Sequence, residues 1–139
     1  RLAAIACAYV ETALANPGRF RVVFGQRGID REDVGCQMAS GRAFGILLRE
    51  VRSAAGRPPL PAMDQKPPAN VLAPDLPEVL LAWSAVHGFS TLLIDGALDF
   101  LNEGSDREAF VDKHAARLFA LLASVLHVTQ GLAKADARD

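Results

Sequence analysis

An excess of charge of either sign is missing from this chain of 139 residues, which sets 15 basic against 16 acidic side chains for a formal net charge of −1. That balance gives no basic stripe of the kind that marks a nucleic-acid surface. Cysteine is scarce as well. Cys7 and Cys36 each fall in an apolar helical pattern, and two cysteines make no disulfide framework, so reduced thiols are expected. His87, His114 and His127 are scattered, and neither His-x-x-x-His nor Cys-x-x-Cys spacing occurs, so no metal site or cofactor is expected. Gly25-Gln26-Arg27-Gly28 has no strand before it, which removes the phosphate-cradle reading, and Arg19, Arg21 and Arg27 read as a solvated face. Cys36 and the serines have no general base near them in sequence; no catalytic residue is expected, and the chain does not read as an enzyme. No stretch alternates with period two and no repeat is visible, so strands are not expected. No targeting segment is apparent, and an opening Arg1 in place of Met points to a fragment of a longer protein, with the cytoplasm as its expected compartment.

What the chain does have is apolar content. Half its residues are hydrophobic, enough for one domain with a sizeable core over 1–139. Residues 1–16 read as an amphipathic helix carrying Leu2, Ile5, Ala6, Tyr9, Val10, Ala13 and Leu14. Asn16-Pro17 looks like an N-cap and first helical residue, restarting a short helix with Phe20, Val23 and Phe24 that Gly25 and Gly28 close. Asp30 is the expected cap of a third helix, whose inward stripe runs Val34, Met38, Gly41, Phe44, Gly45, Leu48 and Val51, with Arg42, Arg49 and Arg52 directed elsewhere. Gly56 stops it. Residues 57–77 hold seven of the eight prolines and read as an extended connection within the domain.

The run from Pro77 to Leu101 organises the rest. Wound at 100° per residue, it has no clearly polar face. One side carries Val79, Trp83, Val86, His87, Ser90 and Ile94, and the other Leu81, Ala85, Gly88, Leu92 and Gly96. A helix apolar all round is buried on several sides. Trp83, Ser84, His87, Ser90, Thr91 and Asp95 interrupt the run, and no uninterrupted apolar span of roughly 20 residues argues for a membrane. Its second face is therefore expected to meet another subunit. Asn102-Glu103-Gly104 ends it, and Ser105-x-x-Glu108 reads as a capping box for a last helix. That helix has Val111, Ala115, Leu118, Leu122 and Val125 on one face, small residues Ala109, Ala116, Ala120, Ala123 and Ser124 on the other, and a frayed tail from Lys134.

Trp83-x-x-x-His87-Gly88 on a long apolar helix resembles the Trp-His-Gly signature in the C-terminal domain of one group of TetR-like bacterial transcriptional regulators. Tyr9, followed by Asn16-Pro17-Gly18-Arg19-Phe20-Arg21-Val22-Val23-Phe24, is similar to that domain's early Tyr … Asn-Pro … Phe segment. The resemblance spans most of the chain. It implies an all-α, dimerising, effector-sensing domain, with the DNA-reading helix-turn-helix preceding it in the whole regulator and not visible here.

On that reading the last two long helices form a four-helix bundle across a two-fold axis, through Ala85, Gly88, Leu92 and Gly96 on one and Ala116, Ala120 and Ser124 on the other. Phe20, Phe24, Met38, Phe44, Leu48, Trp83 and His87 are the candidate lining of a pocket for a small, largely apolar effector. Two readings of His87 stand: a ligand-orienting group beside the Trp83 indole, or a core histidine bonded within the fold. The same holds for the aromatic and Met residues, which line a cavity or simply fill a core. The rival to an effector domain is a structural dimerisation module with a filled core; a small all-helical enzyme is the more distant alternative.

Overall fold

The computed structural model describes residues 1–25, 30, 32–58, 60, 73–101 and 106–136, with side chains through Val128. Among them every regular element is helical. Five α-helices follow in order: α1 (Leu2–Ala15), α2 (Pro17–Phe24), α3 (Val34–Ala54), α4 (Leu76–Ile94) and α5 (Arg107–Asp136). Two 3-10 turns, Ala73–Asp75 and Asp99–Leu101, precede and follow α4.

The core lies where α1, α3, α4 and α5 meet. α1 contributes Leu2, Ala6, Val10 and Ala13, α3 Leu48 and Val51, α4 Val79, Ala82, Val86 and Leu93, and α5 Val111, Ala115, Phe119, Leu122 and Leu126. Among the described residues Phe119 is the one fully buried aromatic ring. By length and composition alone Ala73–Ile94 would suffice to cross a membrane, but here its buried face packs into this core.

The ends of the helices show where local chemistry overrode the expected boundaries. Asn16 does precede α2, but its side chain points back to the Thr12 carbonyl (3.4 Å) and caps nothing ahead of it. α3 is capped by Asp33, not Asp30: Asp33 Oδ1 accepts from the Cys36 N–H at 2.8 Å, while Asp30 Oδ1 accepts from the Glu32 N–H in a tight turn upstream. Val34, at the first helical position, is then exposed and not part of an inward stripe. α4 is shorter than the 77–101 run because Gly96 adopts φ +71°. The Ala97 N–H donates to the Leu92 carbonyl at 2.9 Å and the Gly96 N–H to the Leu93 carbonyl at 3.2 Å, which is a Schellman stop. Gly56, at φ +63°, ends α3 in the same way, as its position implied. Gly96 therefore terminates the helix and lies beyond its last turn.

On α5 the inward register differs from the expected one. Leu118 and Val125 are exposed and Phe119 and Leu126 are buried. Both stripes are apolar, and burial of the large Phe119 ring selects between them. Asn102–Gly104, Ser105, Gly28 and residues 61–72 of the proline-rich connection lie outside the described residues.

Arg52, expected to point away from the core, is instead folded inward. Its guanidinium pairs with Asp75, which has no exposed surface, and donates to the Pro58 carbonyl at 2.9 Å. Arg57 pairs with the other oxygen of Asp75 and with Glu78, and donates to the Pro74 carbonyl at 3.0 Å. This cluster ties the end of α3 to the start of α4. Removing one partner of such a buried network costs about 3–5 kcal/mol, because the other charge is left uncompensated.

Gly96→Ala tests the helix stop. A Cβ there would sit 2.9 Å from Asp99 Oδ2, on a backbone that costs a non-glycine residue about 1–2 kcal/mol. Urea denaturation is expected to show that loss with no change in association state. A changed association state at unchanged stability would return Gly96 to an interface.

Candidate functional site

Trp83 and His87 stand one turn apart on α4, and both reach across to Tyr9 of α1. Tyr9 Oη lies 3.0 Å from His87 Nδ1, and the Trp83 side chain acts on the same phenol. The Tyr9 hydroxyl and His87 Nδ1 can each donate or accept in this bond, according to the imidazole tautomer. Burial dominates the ionisation of both groups. It pushes the Tyr9 phenol up to about 12, with the Trp83 side chain acting in the other direction, and it holds His87 below its ordinary value of 6.5.

Around this polar centre are rings from three helices. Phe20 of α2 stacks on the imidazole with centroids 5.0 Å apart, and Phe24 meets it edge-on at 4.5 Å. Tyr9 touches both phenylalanines, at 5.8 and 6.2 Å. On the other flank Phe44 of α3 meets Trp83 edge-to-face at 6.2 Å. None of these rings is fully buried: Trp83 is 36% exposed and Phe24 39%. Since a buried aromatic ring contributes the largest apolar area of any side chain, a cluster held half-open forgoes stabilisation that a plain core would take.

The seven expected pocket residues thus divide. Phe20, Phe24 and His87 form one group, and Phe44 and Trp83 a second. Leu48 is sealed in the core at 1% exposure, and Met38 is half-buried on α3. Tyr9, which joins the two groups, was read from sequence as part of an apolar stripe; its place in the Tyr … Asn-Pro … Phe segment was the signal for it. α2 itself buries no residue fully and is held by its rings and by an exposed Arg21–Asp95 ion pair at 2.7 Å. With both partners more than half exposed, that pair contributes at most about 1 kcal/mol.

The opposite side of α4 is largely uncovered by the described residues. Leu81 and Leu92 are exposed, Ala85 is half-buried, and a Cβ built on Gly88 meets nothing within 4 Å. On α5, Ala116, Ala120 and Ser124 are exposed, the last donating to the Ala120 carbonyl at 3.0 Å. Beside them Leu118, Leu121, Val125 and Val128 form a second exposed apolar row, with the alternating three- and four-residue spacing of a coiled-coil seam. Cys7 and Cys36 are free thiols, and burial raises Cys7.

A helical chain with this arrangement matches a known family model, the tetracyclin repressor-like C-terminal domain, over residues 2–118. The protein belongs to that family of regulator domains. No curated protein and no solved structure matches the chain.

The histidine sets a pH dependence whose sign follows from its direction. A His held below 6.5 by burial favours the folded arrangement fully above 6.5, and that contribution is lost as pH falls through this value toward its folded midpoint. An NMR titration of the His87 ring is expected to give a midpoint below 6.5, with Phe20 and Phe24 resonances moving in step. A midpoint above 6.5 would contradict the neutral, phenol-bonded imidazole.

Proposed function

We propose that this domain senses a small, largely apolar effector and dimerises, and that it controls DNA binding by an N-terminal helix-turn-helix domain in the whole regulator. The observation that carries the reading is the meeting of Tyr9, Trp83 and neutral His87 among half-exposed rings. A ligand site is mostly apolar, with a few polar groups to fix orientation, and these three supply uncharged hydrogen-bonding groups in an aromatic setting. The family's regulators are generally dimeric, effector-binding and cytoplasmic, which supports the same roles here.

Phe20, Phe24, Phe44, Trp83 and His87 are the proposed contacts, with Tyr9 added and Leu48 serving the core behind them. The proposed subunit seam uses Ala85, Gly88 and Leu92 of α4 with Ala116, Ala120 and Ser124 of α5, in a self-complementary two-fold bundle. Effector binding on one side of α4 then shifts the helix relative to its mate on the other. In the whole regulator this alters the spacing of two reading heads that must fit half-sites about one helical turn, ~34 Å, apart.

Binding is tested with Nile red, a neutral apolar dye, read by quenching of Trp83, the single tryptophan. Saturable quenching is expected, and His87→Ala is expected to weaken it by the value of one neutral hydrogen bond, about 0.5–1.5 kcal/mol, without dissociating the dimer. No quenching, with His87→Ala unfolding the domain, would favour a filled structural module. The seam is tested by Gly88→Leu. The added side chain meets open space within one chain, so the fold should survive, while overpacking at a close subunit crossing costs about 1–3 kcal/mol. Sedimentation is expected to show a weakened dimer; an unchanged one would remove Gly88 from the seam.

A further inference from the structure

α3 runs toward the buried ion-pair cluster and α4 runs away from it, so the two helices form an antiparallel hairpin pinned at one end. Arg52 pairs with Asp75 at that end. Eight residues along each helix, Phe44 meets Trp83. These equal offsets put the ring pair in register with the ion pair, about 12 Å away at the helical rise of roughly 1.5 Å per residue.

The pinned end and the ring end are built differently. Asp75 is fully buried, and each of its carboxylate oxygens is held by a guanidinium. Arg52 and Arg57 also bind the carbonyls of Pro58 and Pro74, which fixes the chain where it leaves α3 and where it enters α4. At the ring end Phe44 is half-buried and Trp83 more than a third exposed, touching edge-to-face. One end is locked by charge-assisted bonds, the far end meets in an edge-to-face aromatic contact, and between them Leu48 and Val51 of α3 share the core with Val79, Ala82 and Val86 of α4.

We infer that the Arg52–Asp75–Arg57 cluster is the pivot of an aromatic jaw, and that Asp75 is a positioning residue setting the separation of Phe44 and Trp83 for the effector. The inference rests on the effector site proposed above and extends it to charged residues two turns away. A tilt of about 5° at the pivot moves a ring at that distance by ~1 Å, twice the ~0.5 Å within which a recognition site is held. Replacing the carboxylate by an amide of the same shape removes its charge and turns one of its two acceptor oxygens into an NH2 that faces a guanidinium, so one of the two bonds is lost, the other is weakened, and the angle is freed.

The test uses Asp75→Asn and, as a milder variant, Glu78→Gln, which leaves both arginine bonds to Asp75 in place. Each is read by Trp83 emission in the ligand-free protein, by far-UV circular dichroism and by Nile red affinity. Asp75→Asn is expected to keep native helix content, to move Trp83 emission to longer wavelength and to weaken Nile red about tenfold. Glu78→Gln should move both in the same direction by less. Native Trp83 emission and native affinity, with only the melting temperature lowered, would overturn the inference and leave the cluster a plain staple. Should Asp75→Asn fail to fold, Glu78→Gln decides: shifted emission supports the pivot, and wild-type emission at a lower melting temperature overturns it. Failure of Nile red to bind the wild-type protein would instead overturn the effector site, while the ligand-free emission still reads the pivot.

Discussion

α4 is a helix apolar all round, and the described residues cover only part of it. Val79, Ala82, Val86 and Leu93 are buried against α1, α3 and α5, while Leu80, Leu81 and Leu92 stay exposed. The other helices are arranged around the side that is covered. α1 and α3 bring Tyr9 and Phe44 to its flank, and α2 lays Phe20 and Phe24 over His87. A second exposed apolar row lies on α5. One element thus faces the core, the ring cluster and the proposed seam, which is how a disturbance on one side could be felt on another.

The all-helical class and the order of five helices were legible because period-3.6 patterning runs through every segment outside the proline-rich connection and period-two patterning is absent. The family was legible from Trp83, His87, Gly88 and the Asn16-Pro17 turn, and the match over residues 2–118 bears this out. The errors arose where two solutions were locally equivalent. Asp30 and Asp33 are both competent caps, and only the path of the chain into α3 decides between them. Leu118 and Phe119 both belong to apolar rows on α5, and tertiary packing chose the larger ring. Gly96 looked like a small helical residue because its positive φ leaves no trace in a hydropathy pattern.

The candidate site was only partly readable. Its rings were named, but Tyr9 was hidden in the apolar stripe of α1, since periodicity reports a face and not the hydrogen bond at its edge. The Arg52–Asp75–Arg57–Glu78 cluster was missed for a similar reason. Its members lie on either side of a proline-rich connection, and only the antiparallel pairing of α3 and α4 brings them together. The clue that existed was electrostatic: basic residues at the end of one helix and acidic ones at the start of the next, each favourable to its own helix dipole.

The central claim is that α4 keeps its aromatic face free while its other face pairs two chains. Acrylamide quenching of Trp83 in the intact, ligand-free dimer tests this most directly. The account predicts ready quenching, in keeping with an indole 36% exposed on the flank away from the seam. A Trp83 shielded from acrylamide in the dimer would place the ring inside the subunit contact and contradict the division of α4 into a sensing face and a pairing face.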